Sequence, residues 1–167
     1  MRSFFVFWLL FCASMVQAFT PSADQGGAFE AALVQFWGRF SESQFETIYD
    51  KSDNSFQAAV QKSEFLATWN RHLSDFGQAR LLKVSDRIWY DQGASGIFAV
   101  SEVQFSTNQF FFGCGYFVFK ETKGIGFRFI RSDILYVPEE LRSERERALF
   151  EQVRKLPGCG TVLTAFD

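Results

Sequence analysis

The chain contains one histidine, His72, in a stretch where Phe65, Leu66, Trp69, His72, Leu73 and Phe76 recur at three- and four-residue spacing. That spacing is one face of an amphipathic helix, so the imidazole is expected among apolar side chains. There it is either a general acid or base, for which its pKa suits neutral pH, or an edge-of-core histidine. In the second case it is bonded to a carbonyl or favoured by the dipole at a helix end. Asp86 is the second candidate. Leu82, Val84, Asp86, Ile88 and Tyr90 alternate strictly, which places the carboxylate within an apolar strand face. Desolvation there would raise its pKa and fit it to take a proton from a carbon next to a carbonyl. The alternatives are a bulge at Ser85-Asp86 that turns the group to solvent, or an ion pair with Arg87 or Arg128. An oxyanion donor would come from Tyr49, Tyr90 or Tyr116, and no spacing selects among them. Trp69, beside His72, completes the set of candidate cavity residues.

Other chemistries find no pattern. There is no Gly-x-Ser-x-Gly elbow, and Lys123-Gly124-Ile125-Gly126 precedes a strand rather than a helix, so it is a hairpin turn and not a phosphate loop. Gly113-Cys114-Gly115 matches no redox motif, and no cofactor is implied. One His and two mature-chain cysteines do not make a zinc set, so no metal is expected. Seventeen Lys and Arg against nineteen Asp and Glu give a net charge of −2, well mixed, which argues against nucleic acid and against strong attraction to anionic lipid.

The N-terminus has a basic start (Met1-Arg2-Ser3), an uncharged run from Phe4 to Phe11, and smaller residues down to Val16-Gln17-Ala18. This is the layout of a secretory signal peptide cleaved near Ala18. The apolar run is shorter than the ~20 residues of a comfortable membrane span, so an uncleaved anchor is the weaker alternative and no span is expected after processing. Phe11 before Cys12 speaks against lipoprotein processing, and Cys12 would leave with the signal. The mature chain would be exported, periplasmic or secreted, and would keep Cys114 and Cys159. In an oxidising compartment the two form a disulfide, or else Cys114 is a buried apolar residue and Cys159 a free tail thiol. A bond would close a loop of about 45 residues, worth about 4 kcal/mol in the chain-entropy model.

The elements that must position these groups read as follows. Residues 19–27 form a flexible lead-in with Pro21 and Gly26-Gly27. From about Ala23 to Phe40, Phe29, Ala32, Leu33, Phe36, Trp37 and Phe40 make a helical apolar face. A short helix starts at Ser43, with Glu46 as its capping-box partner, and ends near Asp50. Residues 51–55 are a polar turn, and 56–60 form a further helical turn. A third helix covers 61–76, with Gly77 as its C-cap. The period then changes from 3.6 to 2, giving strands over 78–91, 96–106, 109–121 and 125–136. The short turns between them make an antiparallel meander. The third strand is apolar on both faces, so it is central and covered on both sides, or one face is an interface. Gly113 and Gly115 suggest a bend or bulge in it. Residues 139–155 return to a charged helix, whose mixed signs make it a solvated face or a partner-docking helix. The tail through Cys159 is short and apolar.

Three helices packed on a curved four-stranded antiparallel sheet, with an added C-terminal helix, is an α+β pattern. The stretch Phe36 to Asp50, then Lys62-Ser63-Glu64-Phe65 and Leu73-Ser74-Asp75-Phe76-Gly77, resembles the opening of nuclear transport factor 2-like (cystatin-like) cone domains. More narrowly, it is similar to small exported bacterial domains of that superfamily that carry no assigned function. The resemblance covers residues 28–137 and leaves 138–167 outside it. It implies a cone with an apolar pocket and assigns no catalytic residue. The surplus of aromatics, 23 Phe in 167 residues, exceeds what a core alone needs. The function expected first is therefore a non-catalytic exported module that binds an envelope protein partner, a second copy as a homodimer, or an apolar small molecule. The second is an isomerase- or cyclase-type enzyme using Asp86 or His72, and the third an accessory of an envelope secretion machine.

Overall fold

A capping box opens the first helix: the Ser22 hydroxyl accepts from the Gln25 amide at 3.2 Å, and the Gln25 side chain accepts from the Ser22 amide at 3.0 Å. It carries α1 (Ala23–Ser41) through Gly26 and Gly27, each of which costs about 1 kcal/mol relative to alanine inside a helix. The expected lead-in therefore ends at Ser22. The computed structural model describes residues 17–109, 111–138, 152, 153, 155, 156 and 159, without the side chains of 17, 18, 82, 83, 85 and 86. The signal run and the body of the C-terminal helix fall outside these residues.

Ser43 does not cap the second helix. Its φ of 57° is left-handed, and its amide bonds to Phe40 O at 3.0 Å, so it finishes α1 instead. Helix α2 (Phe45–Lys51) starts at Gln44 with no side-chain cap. Asp53 then caps a separate α3 (Asn54–Ala59), accepting from the Ser55 amide at 2.9 Å. Where three helices and a turn were expected, four helices precede the main sheet among the described residues. The last, α4 (Lys62–Phe76), ends on Gly77 at φ 83°, as expected from its sequence.

The sheet is antiparallel and its strands are neighbours in sequence order: β1 (Gln17–Ala18), β2 (Ala79–Asp91), β3 (Ile97–Thr107), β4 (Phe111–Thr122) and β5 (Gly126–Pro138). The short β1 is an addition to the expected four; it pairs Gln17 with Asp91 and Ala18 with Tyr90. Helices α1, α2 and α3 lie against β5 on one face of the sheet.

Two register shifts break β2, one between Leu81 and Lys83 and one between Val84 and Arg87. Each inserts a residue and exchanges the two faces. Ala79, Leu81, Val84 and Trp89 thus pack on the core, while Ile88 is exposed. The single apolar stripe expected over Leu82, Val84, Asp86, Ile88 and Tyr90 does not exist. The backbone irregularity at Ser85-Asp86 is the bulge that the sequence left as an alternative. A third shift, between Val118 and Phe119, makes β5 change parity, so Phe127 and Phe129 and then Ile134 and Tyr136 all face the helices.

Register runs unbroken through Gly113 and Gly115, contrary to the bulge expected there. Those glycines serve close approach: a Cβ at Gly113 would run into the Phe105 ring, and one at Gly115 into the Asp133 carbonyl.

Candidate binding clefts

The space beneath the helices is filled by phenylalanine. Phe36 sits 4.7 Å from Phe117, 5.4 Å from Phe119 and 4.9 Å from Phe129, between ring centroids. Phe29 meets Trp89, Phe119 and Phe127 edge-on at 5.1–5.5 Å. Phe40 meets Trp69, Phe105 and Phe117 in the same way. Edge-to-face contacts of this kind lock the rings beyond their buried area. Open clefts lie at the margins of this core.

The first cleft, about 450 Å³, runs between α1, α2 and the β4–β5 hairpin. Ala28, Ala31 and Ala32 recur at helical spacing along its α1 wall, and their small side chains leave Phe36, Phe119 and Phe127 as an apolar floor. Arg39 from α1 and Lys51 from α2 bring cationic side chains to it, and no carboxylate is among its described lining. Arg128 also borders it from β5, but strand alternation between the helix-facing Phe127 and Phe129 directs its side chain to the other face of the sheet. Among the described residues none of the three makes an ion pair. Arg39 donates only a long hydrogen bond, 3.4 Å, to the Gln35 side chain.

The second cleft, about 480 Å³, lies between α3, α4 and β5 and is lined by Phe56, Val60, Phe65, Trp69, Phe129 and Ile130, with Glu64 and Arg131 also on it. Phe129 forms part of both clefts. Beside it Asp53 ties the layers together. Its amide donates to Phe129 O at 2.9 Å, and its carboxylate accepts from the Ser55 hydroxyl and from the Thr122 hydroxyl at 3.1 Å. Burial disfavours the ionised carboxyl, but the Ser55 hydroxyl and amide, the Thr122 hydroxyl and the Lys120 charge outweigh it. Together they hold Asp53 below the usual 3.8. A third cleft, about 530 Å³, lies beside the α1 end and the β2–β3 pair, around Trp37, Gln78, Leu81 and Thr107.

The candidate residues named from the sequence do not converge. His72 and Trp69 are neighbours, their rings 5.2 Å apart, and Phe76 and Tyr136 close around the imidazole at 5.8 and 5.3 Å. His72 Nδ1 is buried with no hydrogen-bond partner, so the carbonyl bond offered as one alternative for a core-edge histidine is not made through this nitrogen. Burial lowers its pKa below the usual 6.5; Asp75 acts against that shift and Arg71 adds to it. Tyr136 is pushed up to about 12 by burial.

Tyr49 is buried, and its hydroxyl lies 2.6 Å from Val60 O and 3.2 Å from Gln57 O, which makes it a link between α2 and α3 rather than a catalytic donor. Tyr116 faces away from the helices and donates to Asp133 at 3.3 Å. Tyr90 pairs with Phe98 and Ala18. The Asp86 side chain is outside the described residues, but its strand β2 stands three strand spacings from β5, about 14 Å along the sheet. Arg87, offered as its ion-pair partner, instead binds Glu30 of α1 through both carboxylate oxygens, the longer contact 2.8 Å.

On the opposite face Cys114 and Cys159 are joined by a disulfide, with Cα atoms 5.1 Å apart. Both are buried, with Phe112 and Val137, in a small cluster separate from the main core.

Sequence reasoning missed Asp53 and the two cleft cations. Asp53 carried a signal, since Asp ahead of Asn-Ser is a good N-cap, and the run was read only as a turn. Arg39 and Lys51 carried none, because they sit on separate helices and meet only through packing. Among the described residues no group of His, Cys, Asp and Glu is placed to hold a metal, and no helix is long and apolar enough to cross a membrane. No family model matches the chain, and no curated protein or solved structure matches it, so what it does is to be read from these clefts.

Proposed function

We propose that the chain is an exported, non-catalytic binding module of nuclear transport factor 2-like type, holding its ligand or partner in open clefts beside a solid core. The observation that carries this reading is the ring packing. Phe29, Phe36, Phe40, Phe117, Phe119 and Phe129 fill the space between the helices and the sheet, which a nuclear transport factor 2-like cone enzyme would need for its substrate. The clefts that open at the margin of these buried rings are of the size of small-molecule sites. The scattering of His72, Tyr49, Tyr90 and Tyr116 among the described residues supports the non-catalytic reading. Export is supported by the N-terminal pattern and by the Cys114–Cys159 bond, which belongs to oxidising compartments.

Native mass spectrometry of the protein purified from its own compartment, without reducing agent, tests this. The expected species starts at Phe19, keeps the disulfide, and carries a non-covalent adduct, a second copy or a co-purifying envelope protein. A bare monomer would sink the binding reading, and an N-terminus at Met1 would sink the processing.

A further inference from the structure

The cleft between α1 and the β4–β5 hairpin differs from its neighbours in charge. Its floor is apolar, Arg39 and Lys51 direct charge to it, and no carboxylate is among its described lining. The whole chain is mildly acidic, at −2, so this is a local concentration of charge against the overall sign. Like charges gathered over an apolar floor repel one another, and an anion that brings its own apolar surface relieves that repulsion while covering the floor. Arginine is the side chain suited to holding a carboxylate or a sulfonate by paired N–H donors, and Arg39 stands on the α1 wall of the cleft. Ile125, 59 % exposed at the hairpin turn, adds apolar surface that water now covers.

We infer that this cleft binds a small amphipathic organic anion, with its apolar body along the Ala28, Ala31 and Ala32 wall beside Phe36 and Phe127 and its acidic head held by Arg39 and Lys51. The inference rests on the binding-module reading and specifies the chemistry of its ligand. A free organic acid fits better than an anionic membrane surface, because the cations line a concave site instead of spreading over a flat one, and the net charge opposes a polyanion.

The test uses the folded full mature chain and two probes. Anilinonaphthalene sulfonate is titrated by fluorescence, then displaced with dodecanoate or with dodecanol. One saturable site is expected, emptied by dodecanoate at concentrations at least tenfold below those needed for dodecanol. Arg39→Gln is expected to weaken binding about tenfold, and Arg128→Gln, on the other face of the sheet, to leave it within twofold. Ala31→Trp, at an exposed position on the cleft wall, is expected to abolish it while circular dichroism stays unchanged.

If Arg39→Gln and Ala31→Trp both bind as well as the parent, the cleft assignment is overturned, even where an adduct in native mass spectrometry keeps the binding-module reading alive. Equal displacement by dodecanoate and dodecanol overturns the anion requirement. Binding to phosphatidylglycerol vesicles without any to monomeric dodecanoate overturns the small-molecule source. Lys51→Gln gives an independent check on charge should an arginine variant fold poorly: a weakening of several-fold supports the site, and no change counts against it.

Discussion

The two faces of the sheet are held by different physics. On the helix side, stability comes from rings: Phe117 alone touches Phe36, Trp37, Phe40 and Phe129 at centroid distances of 4.7–6.3 Å. On the other side a much smaller cluster, Phe112, Cys114, Val137 and Cys159, is closed by a covalent bond. Along β4 the two regimes alternate residue by residue, Phe117 and Phe119 facing one way and Cys114 and Tyr116 the other. A face with enough apolar area closes on packing alone; one without it needs a cross-link that acts on the unfolded chain.

The contrast breaks most sharply at Phe117. Phe117→Ala leaves a ring-sized hole among interlocked neighbours and is expected to cost about 3–5 kcal/mol in urea denaturation. A loss under about 1 kcal/mol would mean that the helix side is not tightly packed. Removing the bond on the other face, by Cys114→Ser with Cys159→Ser, is expected to cost about 2–4 kcal/mol. Its sharper signature is that anilinonaphthalene sulfonate binding in the α1 cleft survives while the midpoint of unfolding falls. Loss of both together would show that the faces are coupled.

The smallest effect tests the polar intrusion on the ring side. His72 has its folded-state pKa below the unfolded 6.5, so the unfolded chain binds the proton more readily. Its neutral form is fully accommodated above pH 6.5, and stability is lost as pH falls from there toward the lowered value. Asp53 adds a separate acid loss only below 3.8. The groups around His72 are Asp75 and Arg71 on its own helix and Tyr136 from β5. His72→Leu is expected to stay within about 1 kcal/mol of the parent at pH 7, since the buried Nδ1 has no partner to lose, and to remove the loss of stability that sets in as pH falls below 6.5. A parent protein with no such sensitivity would show that the imidazole charges freely.

These regions were unequally legible in the sequence. The helix faces and the meander could be read because the period switches from 3.6 to 2 after Gly77 and because Phe29, Phe36 and Phe40 keep strict spacing. The face of Asp86 could not, because a strand with an inserted residue has the same sequence as one without, and β2 has two such insertions. Ser43-Glu46 spells a capping box, yet the chain uses Ser43 to leave α1, a case of tertiary geometry overriding a local signal. The disulfide was legible as a pair of cysteines and undecided as a bond. The cationic cleft has no linear signature, since Arg39 and Lys51 sit on separate helices and meet only through packing.

One contact joins the beginning of the domain to its end: Phe36 of α1 stacks on Phe129 of β5 at 4.9 Å. From β2 onward the sheet is a succession of hairpins, each strand pairing with the one just completed, which favours rapid local assembly. The first long helix nonetheless has no finished surface to lie on until the last strand has emerged. For a chain that appears from its amino end, the apolar side of that helix is exposed for nearly the whole of synthesis or translocation. The interval between its emergence and that of Phe129 is when the protein is most open to aggregation or to capture by a chaperone.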